Sequence, residues 1–306
     1  MLALVLVCLP PIASGETYQP LTTAIVWEAP LTNVPVRLWV YKVVPQSFSP
    51  AVLSNLMAYG SFTSKNLTKS SLQVSAKDSI HFQVTQGNVT RYLNVVPSIG
   101  WIEYYDGAAQ AAFGHEEGVP SEGEAIKLAR EFLFQLGIDR ALVVEKPTAM
   151  SVGRQGDAVT SRGTNAVYSR GVFLSRRVDG VNIFGNGIRG GLFIELGNRG
   201  RVMNFTLVWR NVIPFRPCRV ATPTELVSWI KQGRSAYTEP HEDVRKAKRV
   251  TVKKLSIFYE GADETERQEF MRPFAELELE TELPGKAAHF VLHCPIMVEE
   301  ATDKKL

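Results

Sequence analysis

The sequence predicts an α+β protein in which single amphipathic helices pack against antiparallel meander sheets. Two observations carry this expectation. The first is a helix between Ser121 and Gly137 that brings its own start and stop. Ser121 with Glu124 three residues on reads as a capping box, and Gly137 falls where a helix closes in a left-handed conformation. Ala125, Leu128, Ala129, Phe132, Leu133 and Leu136 then form one apolar stripe at i, i+3, i+4, i+7 spacing. The second is Gly171–Trp209, where glycine-centred turns separate short β-prone runs. A one-sided helix followed by a meander buries its stripe against that sheet.

The remaining elements follow the same grammar. A helix opens at Ser49-Pro50, with proline at the favoured first position, buries Val52, Leu53, Leu56 and Met57, and stops at Gly60. Another opens at Thr222-Pro223-Thr224-Glu225, again a capping box, carries Leu226, Val227 and Ile230, and stops at Gly233. Strands are expected at Val36–Val44, Ser71–Ser75, Ser79–Thr85, Arg91–Val96 and Trp101–Tyr105, and after the third helix at Arg249–Tyr259, Phe274–Glu282 and Ala288–Val298. Asp179-Gly180 between Val178 and Val181 is a strong hairpin signal, because both turn positions need positive φ. In the last strand of the meander Met203, Phe205, Leu207 and Trp209 alternate with Asn204, Thr206 and Arg210, so one face packs and the other is wet.

At 306 residues and 45% hydrophobic, the chain has material for two compact domains. A net charge of +3 with 21% charged residues demands neither a nucleic acid nor an anionic membrane as partner. Beyond the N-terminus no apolar run is long enough to cross a bilayer. Leu2–Ile12 followed by Ala13-Ser14-Gly15 reads as an export signal over residues 1–15, although no Lys or Arg precedes the run. The expected division is then an N-terminal α+β domain at 16–118 and a C-terminal one at 119–306, with the boundary near Gly114–Pro120. Removing the signal leaves Cys218 and Cys294, which permit one disulfide or two buried thiols. Three sequons, at Asn66, Asn88 and Asn204, are about what chance gives and decide nothing about compartment.

Candidate chemical sites dissolve on inspection. Gly185-Asn-Gly187-Ile-Arg-Gly190 fits a dinucleotide fingerprint literally, but β-prone residues follow it where a helix must begin. His289 and His293, beside Cys294, have the spacing of a helical zinc pair, yet on the strand expected here they stand about 13 Å apart. Glu276, Glu278 and Glu280 share one strand face, the solvated side of a half-buried strand rather than a cation site. Arg245, Lys246, Lys248, Arg249, Lys253 and Lys254 form a basic run without interleaved aromatics, better suited to an edge that resists aggregation than to nucleic acid. No nucleophile elbow, Walker loop or zinc-protease motif is present. The reading therefore contains no catalytic residue, metal or cofactor.

One further pattern runs Ser-x-x-Glu-Ala-x-x-x-Ala-x-x-Phe-Leu-x-x-x-Gly from Ser121, then Tyr168-Ser-Arg170, Arg177-Val-Asp-Gly-Val-Asn-Ile183, Gly200-Arg-Val202 and Trp209. It resembles the PepSY and peptidase-propeptide-like domains of exported bacterial proteins, in which an antiparallel sheet wraps a cystatin-like helix. Lys254–Tyr259, Arg272-Pro273-Phe274 and Pro295-Ile296 look like the second unit of tandem relatives. The resemblance covers roughly Pro120–Val298 and implies tandem cystatin-like units, each a helix packed on an antiparallel meander sheet. It also implies an exported, non-enzymatic binding or regulatory protein, protease-inhibitor-like, acting on a protein or peptide at the cell envelope. No protease domain follows, which removes the simple propeptide role. The residues expected to meet the partner are Arg176, Arg177, Asp179 and Arg189 of the central hairpins, with Trp209 as anchor. An envelope hydrolase with an unrecognised active site is the alternative, and a structural module of a larger assembly a third.

Overall fold

The computed structural model describes residues 17–18, 20–31, 34–44, 48–68, 78–109, 118–138, 148–153, 167–184, 191–237, 247–262, 267–283 and 286–298. The export signal over 1–15, the expected strand at Ser71–Ser75 and the glycine-rich stretch 185–190 lie outside them. In chain order the elements are β1 (Thr17–Tyr18), β2 (Ala24–Trp27), β3 (Arg37–Val44), α1 (Pro50–Gly60), β4 (Leu67–Thr68), β5 (Ile80–Gln86), β6 (Val89–Val96) and β7 (Trp101–Asp106). They continue with α2 (Glu122–Leu136), β8 (Thr148–Gly153), β9 (Val167–Ser175), β10 (Arg177–Val178), β11 (Val181–Phe184), β12 (Gly191–Leu196) and β13 (Val202–Val208). The last are β14 (Asn211–Val220), α3 (Pro223–Lys231), β15 (Ala236–Tyr237), β16 (Arg249–Glu260), β17 (Phe270–Met271), β18 (Pro273–Leu283), β19 (Lys286–Pro295) and β20 (Met297–Val298). The fold is mixed α+β, with helices packed on largely antiparallel sheets, as the sequence predicts.

The chain divides into two compact units drawn from interleaved segments. One holds Val43–Val212 with Gly261–Glu269; the other holds Met1–Lys42, Ile213–Glu260 and Phe270–Leu306. This differs from the contiguous 16–118 and 119–306 spans expected from the sequence. The reason is hydrogen bonding: β7, before that boundary, pairs with β13, well after it.

The first unit is built on one eight-stranded sheet in the order β4-β5-β6-β7-β13-β12-β9-β8, and every neighbouring pair is antiparallel. Thus α1 leads into one four-strand half and α2 into the other, and the last strand of each half meets at the centre. Across that seam Tyr104 opposes Phe205 and Ile102 opposes Leu207. All four are buried in one core with Val52 and Leu56 of α1 and Ala125, Ala129, Phe132, Leu133 and Leu136 of α2. Phe132 meets Phe205 edge-on at 5.4 Å, and Tyr59 meets Phe132 at 5.1 Å. The two helices touch, with the Asn55 side-chain amide donating to the Gln135 carbonyl at 2.9 Å.

Local signals fix the ends of these elements. The Ser121 hydroxyl accepts from the Glu124 N–H at 3.4 Å, and Gly137 closes α2 at φ 79°. There the Gly137 and Ile138 N–H groups return to Phe134 and Leu133, satisfying carbonyls the helix leaves open. In α1 the left-handed residue is Ser61 rather than Gly60, which remains helical. Gly60 serves packing instead: a Cβ there would lie 2.2 Å from a Phe62 ring carbon. Asp179 and Gly180 both take positive φ and close the expected β10–β11 hairpin.

The second unit carries a sheet ordered β1-β15-β19-β18-β16, with β2 added in parallel on β16, and a smaller sheet β17-β3-β14-β20. Helix α3 packs on β19 through a one-sided stripe in which Leu226 and Ile230 are buried. Its capping box forms in full, and Arg219 forks onto both Glu225 oxygens at 2.9 and 2.7 Å. In β18, Ala275, Leu277, Leu279 and Thr281 are buried, while Glu276, Glu278 and Glu280 take the other face.

Truncating Phe205 to alanine is expected to cost about 3–5 kcal/mol, because the ring has no exposed surface and fills the space under both helices. Urea unfolding of the purified chain measures it. The second expectation concerns acid. The fork from Arg219 and the Thr222 N–H hold the Glu225 carboxyl at about 2, below its ordinary 4.5. A depressed carboxyl stabilises the fold above its ordinary value, and that contribution fades as pH falls from 4.5 toward about 2. Glu225→Gln is therefore less stable than the parent near neutrality, by up to about 1 kcal/mol for so exposed a pair, and equal to it near the acid end. Paired urea midpoints across pH test the convergence.

Candidate functional site

Two constellations in the eight-stranded unit stand out from packing. The first lies on the sheet face opposite α1 and α2, where pairing register aligns His81, Asn94, Glu103 and Thr206 across β5, β6, β7 and β13. The His81 Nδ1 contacts the Asn94 side-chain oxygen, and its Nε2 lies 3.3 Å from the Gln83 oxygen. The Asn94 amide donates to Glu103 at 2.9 Å, and the Tyr92 hydroxyl donates to the other Glu103 oxygen at 3.2 Å. Tyr92 stacks on Tyr105 with centroids 5.3 Å apart. Burial, reinforced by the Glu103 carboxylate, holds the Tyr92 hydroxyl well above its ordinary value, so it remains a donor. The result is a hydrogen-bonded polar row with an aromatic flank, preformed across three strands.

The second constellation is Arg176 with Trp209. The two are 7% and 8% exposed, and the guanidinium lies over the indole ring, 4.5 Å from its centroid. Arg176 Nη1 donates to the Arg210 carbonyl, and Arg210 in turn donates to the Ala262 carbonyl at 2.9 Å. Burial lowers the Arg176 guanidinium to about 10, which still leaves it charged at neutral pH. Of the residues the sequence assigned to a partner, these two come together. Arg177 and Asp179 are exposed on the hairpin, where Arg177 Nε donates to Asn182 at 3.0 Å. Arg189 lies outside the described residues.

In the second unit each carboxylate of the acidic row has a basic side chain beside it. Glu276 lies 3.5 Å from His293, whose hydrogen bond holds it below the usual carboxylate range. Glu278 pairs with Lys254, and Glu280 with Lys253 at 3.3 Å, the same lysine reaching Glu28 at 2.6 Å. Lys253 and Lys254 of the basic run are thereby engaged; Arg245 and Lys246 lie outside the described residues. His289 and His293 oppose Glu280 and Glu276 on β19, a strand rather than a helix. Among the described residues no group of metal-ligating side chains converges, and no helix is long and apolar enough to cross a membrane.

Cys218 and Cys294 are both buried thiols, the second of the two alternatives the sequence left open. Cys218 sits on β14 in the smaller sheet, donating to the Leu38 carbonyl at 3.4 Å. Cys294 sits on β19 in the larger one, opposite Ala275. Burial raises the Cys294 thiol to about 12.

The row of His81, Tyr92, Asn94 and Glu103 escaped sequence reading. Its signal is a polar residue at alternate positions of three successive strands, which becomes a site only once the register aligns them.

No protein-family model and no curated protein matches the sequence. A solved structure of an uncharacterized protein from Eubacterium rectale is similar at a TM-score of 0.44 and 11% identity, over 89% of this chain and 86% of that one. So distant a likeness carries no argument about function.

Because thiolate is the reactive form, Cys218 and Cys294 are expected to resist iodoacetamide in the native chain and to alkylate in denaturant. Peptide mass spectrometry of the two cysteines under both conditions reads the outcome; labelling of the native chain at either would contradict their burial.

Proposed function

We propose that this chain is an exported, non-enzymatic binding or regulatory protein that engages a protein or peptide at the cell envelope. The engaging surface is the sheet face opposite α1 and α2. Export rests on the apolar N-terminal run, and the binding role on the resemblance drawn from Ser121–Trp209. The single observation that best supports the surface is the half-buried Tyr92, Glu103 and Tyr105 beside the exposed Gln83, held in place by the buried His81 and Asn94 beneath them. Hydrogen-bonding groups and aromatic rings held in place by strands lose little conformational entropy when a partner docks. The packing of α2 on its antiparallel sheet and of α3 on β19 supports reading the tandem cystatin-like units expected over Pro120–Val298 there, and α1 with β4–β7 repeats the helix-on-sheet pattern outside that span. Inhibitor-like docking on a protease is the form of this role that the resemblance favours.

A photo-crosslinking residue tests the surface. Gln83 is exposed on the row's face, and Phe134 is 66% exposed on α2. In a native envelope preparation, a crosslinker at position 83 is expected to give a discrete adduct that excess unlabelled chain competes away, and one at 134 is not. Equal adducts at both positions, or none at 83, would overturn the reading.

A further inference from the structure

Arg176 is held differently from Arg201 and Arg219, and it shares with Arg234 a place over an indole ring and a buried Nε–H without an acceptor among the described residues. Arg201 reaches the buried Asp106 carboxylate at 2.8 Å, and Arg219 forks onto Glu225. Arg176 is more buried than either, yet among the described residues it is met by a carbonyl oxygen and an indole face. Its Nη1 is taken by the Arg210 carbonyl, and its Nε–H is buried without an acceptor. A guanidinium cannot shed its charge near neutrality, and a buried N–H with no acceptor is costly. No acceptor stands on the Nε–Nη2 edge among the described residues, and its two parallel N–H groups match the two oxygens of a carboxylate.

We propose that the Nε–Nη2 edge of Arg176 is a receptor for one planar oxyanion, a carboxylate by preference, held in register by the Trp209 ring and the Arg210 carbonyl. The ring fixes the plane of the guanidinium at 4.5 Å, and the carbonyl fixes its rotation about that plane. The carboxylate can come from an acidic side chain or C-terminus of a peptide, or from a small free acid. The site stands on the geometry of Arg176 alone and goes beyond the sheet-face reading, so either can fail without the other.

The test records the arginine Nε–H signals of the ¹⁵N-labelled full chain by NMR while acetate, then inorganic phosphate, is added against chloride at constant ionic strength. The Arg176 signal is identified by its loss in Arg176→Lys, which keeps the charge and the ring contact but removes the fork. The expected result is a saturable downfield movement of that one signal with acetate, and a weaker one with phosphate. A peptide with a free C-terminal carboxylate, compared with its amide, then separates the peptide source from the free acid. The lysine variant should bind acetate at least about tenfold more weakly. Should that variant not fold, the parent signal is identified by its nuclear Overhauser contacts to the Trp209 ring, and its movement still decides. No saturable movement with either anion, or a stronger response to phosphate, would overturn the assignment.

Discussion

The pairing of β7 with β13 is the constraint on which the eight-stranded unit depends. Each half of that unit is a helix followed by four strands, and a short sheet with one free edge is neither closed nor well protected. Joining the two last strands turns two such halves into one sheet with a shared core, so that Phe132 of α2 and Tyr59 of α1 meet over Phe205. The seam is secured at both ends. At one, Arg201 reaches Asp106; at the other, the Trp209 N–H donates to the Gly100 carbonyl at 2.6 Å. Gly100 takes φ 69°, and a Cβ there would lie 2.1 Å from the Trp209 carbonyl oxygen, so glycine is required on both counts.

Charge is handled locally across most of the molecule. The acidic row of β18 is matched residue by residue with His293, Lys254 and Lys253, and the acid of the α3 capping box with Arg219. Such pairs contribute little individually at a surface, but they leave no acidic cluster in search of a cation. Against that background the two sites of the eight-stranded unit differ in kind. The polar row is complete in itself and offers shape and hydrogen bonds, whereas Arg176 is an unfinished pair.

What the sequence made legible is what depends on neighbours along the chain. Ser121 and Gly137 mark the ends of α2, Thr222 and Glu225 cap α3, and Asp179-Gly180 turns its hairpin, because each needs only a few adjacent residues. The alternation of Phe205 and Leu207 gave the packed face of β13 for the same reason. The seam did not show, since nothing local in Trp101–Asp106 records that its partner is β13. The same holds for the polar row, whose members are on separate strands, and for the interleaving of the two units. Arg176 and Trp209 are expected from the sequence to meet a partner, and their burial follows from the closing of β9 against β12 and of β12 against β13, pairings that lie beyond either residue's neighbourhood. The two thiols belong to different sheets, which spacing in sequence does not reveal.

The seam also sets an order of events at the ribosome. When β7 leaves the exit tunnel, its future partner has not been made. The intervening segment runs from Gly107 to Arg201, and at ordinary elongation rates it takes roughly 5–20 s to emerge. Throughout that interval β7 presents an unpaired edge next to a half-built core, the kind of surface on which nascent chains stick to one another. The first residues wait longer still, since Ala24–Trp27 can add to β16 only when Arg249–Val252 appears. A chain assembled this way has its non-local pairings at the end of synthesis, and its yield in a cell is governed by whatever shields β7 until β13 arrives.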